Sequence, residues 1–268
     1  MERTENRWLT RLATVLLPAI VPAAVALAHA GTWQENVAVL IQLDGKANGA
    51  AHVFDSDDYQ RMLLVLDDRP TALILHLAEG AVYGVPRDSV HISDDGSADI
   101  GIVGEDFLTG LEHKDGTVRF TWDDQPFAIQ PLPPLLGPAP LKQILELKPS
   151  YALAAQLYKP DPTKLALIRS VTHQTEIHVY FGTWCLLCKR LLPGFIRTIE
   201  LAANPRILIT YIGVDEDITR PEAELERDHI TKSPTILVLQ EGREIGRIEE
   251  KTDTTIEADL AGILAPPR

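Results

Sequence analysis

The two cysteines of this 268-residue chain, Cys185 and Cys188, stand three residues apart, and it has no others. Residues 176–181, Glu-Ile-His-Val-Tyr-Phe, precede them. That β-branched and aromatic run predicts a buried strand. Behind the cysteines, Leu191, Leu192, Phe195, Ile196, Ile199 and Leu201 recur at roughly helical spacing and predict a helix over 186–203. Cys185 is therefore expected where a strand passes into a helix N-terminus, with Cys188 one turn further in. Free backbone N–H groups and the positive end of the helix dipole stabilise an anion at such a place. A thiolate is that kind of anion and is the reactive form of cysteine in disulfide exchange. The second thiol is close enough to attack a mixed disulfide formed at the first. This spacing makes Cys185 the attacking thiol and Cys188 the resolving thiol, with Lys189 as electrostatic support.

Two other readings of the pair are weaker. A structural bridge closing so short a loop restricts the unfolded chain little, because the gain grows with loop size. Structural zinc takes about four Cys or His ligands, and no histidine lies close in sequence to the pair. No metal and no cofactor is expected.

The motif Trp184-Cys185-x-x-Cys188-Lys189 after a hydrophobic strand resembles that of the thioredoxin superfamily. Lys232-Ser233-Pro234-Thr235 is similar to the family's cis-proline element, and 240–244 reads as a hairpin turn into 245–248, as that family's last two strands would be joined. The resemblance spans roughly residues 165–264. It implies a thioredoxin-like α/β fold there and a thiol–disulfide oxidoreductase. Trp184, Ser233, Pro234 and Thr235 would then form the substrate groove. The sequence departs from the family in three places: Leu186-Leu187 between the cysteines, Val179 where thioredoxins bury an aspartate, and Ser233 before the proline. The second leaves the proton route of the resolving cysteine open.

Residues 1–30 predict a signal peptide. Arg3, Arg7 and Arg11 form a basic start, 12–28 is apolar apart from Thr14, and Ala28-His29-Ala30 has the small-x-small form of a cleavage site. An uncleaved N-terminal anchor is the alternative, against which Pro18 and Pro22 weigh. Either reading exports the chain, to a bacterial periplasm. The formal charge of −13 argues against nucleic acid and anionic membrane surfaces as partners. The 45% hydrophobic content is enough for real cores and excludes wholesale disorder.

Residues 31–130 predict an all-β domain of unknown role, an antiparallel sandwich or barrel. Strands are expected at 37–43, 50–54, 62–66, 72–77, 81–86, 98–103, 108–113, 117–122 and 127–130, separated by Asp- and Gly-rich turns. His52, His76, His91 and His113 show no metal-like spacing and read as surface or satisfied histidines. Residues 131–140 carry five prolines and predict a semi-rigid linker. Residues 141–268 are expected to hold three short helices ahead of the redox strand. A parallel strand at 207–214, a helix from Pro221 to about 230, two strands at 235–239 and 245–249, and a closing helix at 254–264 follow.

Together these features predict an exported thiol–disulfide oxidoreductase acting on proteins with disulfides or dithiols, as a reductant, with a membrane electron donor as a further partner. The rival reading is a partner-binding protein with a thioredoxin-like scaffold and little turnover. A copper-handling thiol protein is a second rival, and the dedicated histidine such proteins use is not evident.

Overall fold

A computed structural model describes residues 26–27 and 32–265. The signal segment expected over 1–30 lies outside the described residues except for Ala26 and Leu27. Among the described residues no helix is long and apolar enough to cross a membrane.

The first half builds one antiparallel sheet. Its strands are β1 (Ala26–Leu27), β2 (Trp33–Glu35), β3 (Val39–Leu43), β4 (Lys46–Ala47), β5 (Ala51–Ser56), β6 (Arg61–Leu66), β7 (Thr71–His76), β8 (Ala81–Pro86), β9 (Val90–Ile92), β10 (Ser97–Ile100), β11 (Gly104–Lys114), β12 (Thr117–Trp122) and β13 (Gln125–Pro131). The order across the sheet is β4-β3-β13-β12-β11-β8-β7-β6-β5-β2-β10-β9, with β1 paired to β11.

The central strands explain its shape. Leu63, Leu64, Val65 and Leu66 in β6, and Ala72, Leu73, Ile74 and Leu75 in β7, are buried on both faces. Successive strand side chains point to opposite faces, so both sides of the sheet need covering. Leu64, Leu66, Leu73 and Leu75 pack with Ile41, Phe120, Phe127 and Ile129 from one end of the sheet. Leu63, Val65, Ala72 and Ile74 pack with Trp33, Val90, Ala98 and Ile100 from the other. The sheet's two ends thus curl over opposite faces of its own middle.

The second half begins in the proline-rich segment with β14 (Gly137–Ala139) and continues as α1 (Leu141–Leu147), α2 (Pro149–Leu157), α3 (Pro162–Arg169), β15 (Thr175–Phe181), α4 (Leu186–Ala202), β16 (Ile207–Gly213), α5 (Glu222–Asp228), β17 (Thr235–Gln240), β18 (Arg243–Glu249) and α6 (Ile256–Leu264). The sheet order is β14-β16-β15-β17-β18. Only β15 and β16 run parallel; the other three ladders are antiparallel. Along β15, Ile177, Val179 and Phe181 join the core that contains both cysteines. Tyr180 faces the other way, into the cluster under α5. Asp161 caps α3 by accepting from the N–H groups of Thr163 and Lys164, and Thr255 caps α6 through Ala258.

The expected fold class, an α/β thioredoxin-like domain behind an all-β sandwich or barrel, is corrected by this architecture. The protein is mainly β, with eighteen strands against six α-helices among the described residues. Thirteen of those strands belong to one continuous curled sheet rather than to two facing sheets. Antiparallel pairing prevails in the smaller sheet too. The physical reason lies in β6 and β7: strands apolar on both faces are covered here by their own sheet. Strand spacing alone does not distinguish that from a sandwich. The individual strands fall close to expectation, and 81–86 and 117–122 coincide with β8 and β12. Strands β2, β4 and β9 carry no separate signal in the sequence.

The two halves meet tightly. A Cβ on Gly49 would lie 2.7 Å from the backbone carbon of Pro149. Gly96, at φ +82°, lets its turn approach α4 so closely that a Cβ there would lie 2.7 Å from Leu186 Cδ2. Only a residue without a side chain meets both demands at Gly96, the left-handed backbone and the contact.

Candidate active site

Strand β15 ends at Phe181, and Gly182, Thr183 and Trp184 carry the chain to Cys185, the N-cap of α4. Gly182 is required by the fold-back of Trp184, whose ring would lie 2.3 Å from a Cβ there. The Trp184 indole N–H donates to the carbonyl of Val214 at 3.2 Å, which fixes the ring half-buried beside the cysteine loop. Both cysteines are free thiols.

The Cys185 sulfur accepts the backbone N–H of Cys188 at 3.0 Å, and as a thiol it donates to the carbonyl of Ser233 at 3.4 Å. The Cys188 sulfur lies 3.3 Å from the Ser233 hydroxyl. These surroundings drive the two thiols apart. A hydrogen bond from the Cys188 thiol, with the N–H of Cys188 and the Ser233 hydroxyl, outweighs burial and lowers Cys185 to about 7. Burial, followed by the neighbouring Cys185, pushes Cys188 well above the usual cysteine range. A nucleophile near half ionisation thus sits beside a thiol that holds its proton.

The expected site residues fall as follows. Cys185, Cys188, Ser233 and Pro234 come together, and the Ser233–Pro234 peptide is cis. Thr235 is fully buried at the start of β17 and donates its hydroxyl to the carbonyl of Lys232. Ser233, Pro234 and Thr235 are all buried. Cys185 itself is 4% exposed.

Lys189 is turned toward the first half. Its ammonium is held by Glu35 of β2 and approaches His52 Nδ1 of β5 at 3.3 Å, while Glu35 accepts from His52 at 2.7 Å. Burial raises the Glu35 carboxyl, but the bonds from His52 and Lys189 outweigh it and hold the group ionised. Removing this carboxylate's charge leaves the half-buried Lys189 ammonium without its counter-charge. Glu35→Gln is therefore expected to lower stability by about 1–2 kcal/mol, read as a shift in the urea midpoint; an unchanged midpoint would mean that the clamp contributes nothing.

Sequence reasoning missed Glu35, His52, Lys148 and Tyr151. Lys148, between α1 and α2, is 5% exposed. Its ammonium donates to the carbonyl of Thr183 at 2.9 Å and to the carbonyl of Val37. Tyr151 is completely buried in the core of the two cysteines, its hydroxyl without a hydrogen-bond partner. A buried lysine beside a proline reads as a surface residue in sequence, and only the apolar run after it hints at burial.

No family model and no curated protein matches this chain. Among solved structures, a protein of unknown function from Pseudomonas aeruginosa is similar over 42% of this chain and 71% of its own, at 18% identity and a TM-score of 0.33. An HIV epitope scaffold is similar over 42% of this chain and 72% of its own, at 18% identity and a TM-score of 0.32.

Proposed function

We propose that this chain exchanges thiols for disulfides through Cys185 and Cys188, acting as a reductant in the dithiol form. The observation that carries the reading is the pairing of a readily ionised thiol at a helix N-cap with a proton-retaining thiol one turn away. Both contact Ser233 beside a buried proline. The likeness of Trp184-Cys185-x-x-Cys188-Lys189 to the thioredoxin superfamily motif supports the same reading. In the forward direction the Cys185 thiolate attacks a substrate disulfide, expelling one thiolate and forming a mixed disulfide. Cys188 then attacks the Cys185 sulfur, closing the Cys185–Cys188 bond and releasing the second thiolate. Proteins with accessible disulfides are the substrate class. A membrane electron donor would restore the dithiol in an exported protein.

The test is reduction of insulin and of a small disulfide by the protein with dithiothreitol as the electron source. Turnover above the dithiothreitol background for either substrate is expected, and faster for the slender one because Cys185 is almost wholly buried. Background rates with both would remove the reading.

A further inference from the structure

Resolution requires Cys188 to lose its proton, and the core around it offers few groups to take one. We propose that Lys148 is the proton acceptor for Cys188 in the second half of the exchange, an inference that rests on the function proposed above.

Lys148 is the one lysine among the buried residues of the described chain. Its ammonium donates to two backbone carbonyls and forms no ion pair among the described residues. One of those carbonyls belongs to Thr183, in the loop that leads into Cys185. The ammonium also lies 5.8 Å from the centre of the Tyr151 ring, which packs in the same core as both cysteines. A charged amine in such a place is disfavoured without a carboxylate partner, and a lysine there gives up its proton readily. Burial first and then the Lys189 charge bring Lys148 down to about 8, partly offset by Cys188, Glu35 and Cys185.

The alternatives are poorer bases. The Ser233 hydroxyl touches Cys188 but cannot hold an extra proton near neutrality. Tyr151 is neutral, burial having pushed its phenol well above the usual range. Glu35 is held ionised by His52 and Lys189, which makes it a weak acceptor. Strand β15 presents Val179, buried and apolar, to the cysteine side. The lysine also has an outlet. A cavity of about 40 Å³ between the two halves is lined by Lys148, Lys189, Glu35, His52, Asn48 and Ser150, which is room for water. A proton taken from Cys188 can leave through it.

The proposed step balances. The Cys188 thiol passes its proton to the neutral Lys148 amine, which becomes an ammonium. The Cys188 sulfur attacks Cys185 in the mixed disulfide, the intramolecular S–S bond forms, and the substrate thiolate leaves. The two cysteine sulfurs are oxidised and the substrate disulfide is reduced to two thiolates. The ammonium then returns its proton to solvent.

Dithiobis-nitrobenzoate resolves the two halves, because each releases one coloured thiolate. Full-length reduced protein is mixed with it in stopped flow across pH 6.5 to 9.5. The first phase reports attack by Cys185 and the second reports resolution. The second phase of the wild type is expected to rise with pH and bend near 8, where the amine becomes free. In Lys148→Met the ratio of second to first rate at pH 7.5 is expected to fall at least tenfold, and the bend to move beyond pH 9. Lys148→Arg keeps the charge but cannot act as a base, and is expected to behave like Lys148→Met. A ratio within twofold of wild type in Lys148→Met overturns the inference. So does recovery of the ratio in Lys148→Arg, or a wild-type second phase without a bend between pH 7 and 9. Misfolded chains also react with the reagent, so each variant is first isolated as folded monomer by gel filtration and its urea midpoint is compared with that of the wild type. Absence of a first phase in the wild type would instead remove the exchange reading itself.

Discussion

Cys185→Ser is expected to reduce disulfide exchange to the uncatalysed background, and Cys188→Ser to leave the protein joined to its substrate as a mixed disulfide. The asymmetry follows from the two sulfurs' surroundings. A thiol at about 7 is roughly half thiolate at neutral pH, whereas an unperturbed cysteine near 8.5 is only about 3% ionised. Serine has no comparable nucleophile, so the first step stops. With Cys188 replaced, the first step proceeds and the intermediate has nothing to resolve it. The same difference is measurable without substrate. In the reduced protein, iodoacetamide modification of Cys185, followed by mass spectrometry, is expected to reach half its limiting rate near pH 7. Cys188, buried and held protonated, is expected to be modified only on unfolding. A midpoint for Cys185 above about 8.5, or equal modification of both residues, would show that the helix N-cap and the neighbouring thiol do not activate it.

The cysteine turn was legible because its information is local. An apolar strand, a tryptophan, two thiols one turn apart and an amphipathic run together place Cys185 at a helix start, and it is the N-cap of α4. Turn residues located the strands of the first half for the same reason. Pairing order was not legible. β13 lies beside β3, and β11 beside β8, and nothing local in those strands names a partner. The proline-rich segment shows the limit in another way. Its composition predicts an extended spacer, and Gly137–Ala139 is extended, but it also pairs with β16 as an edge strand. Proline is tolerated at such an edge because its missing N–H faces away from the ladder. The site's outer groups were furthest from reach. Lys189 meets Glu35 across 154 residues of sequence and His52 across 137, contacts that exist only once the curled sheet has docked on α4. The same docking explains the burial of Lys148: its ammonium bridges the carbonyl of Val37 in the first half and that of Thr183 in the second.

Asp228→Ala is expected to cost about 1–3 kcal/mol, the loss typical of leaving buried hydrogen-bonding groups without their partner. Asp228 closes α5 with its side chain 6% exposed. It accepts from the Tyr180 hydroxyl at 2.6 Å and from Arg227 Nε at 2.7 Å, and meets His178 Nδ1 at 2.7 Å. Alanine would leave the Tyr180 hydroxyl and the His178 ring nitrogen without that partner on the covered face of β15. Burial raises the Asp228 carboxyl, but the bonds from Arg227, Tyr180 and His178 outweigh it and hold the group well below the usual carboxylate range. A depressed carboxyl stabilises the fold fully above its unfolded value, near 3.9, and that contribution disappears as pH falls through the lower folded value. Urea unfolding at pH 7 should therefore show the full loss in Asp228→Ala. The gap between variant and wild type should narrow as pH drops below about 4, because the wild type is then losing the same contribution. A gap that stayed constant down to pH 2 would mean that the network acts through packing rather than charge. His178 and Tyr180 flank Val179 in the strand that leads to the cysteine turn, so this back-face anchor supports the frame on which Cys185 is held. Asp228→Asn, which keeps the shape and part of the hydrogen bonding, is expected to recover some of the stability at pH 7 and none of the acid dependence.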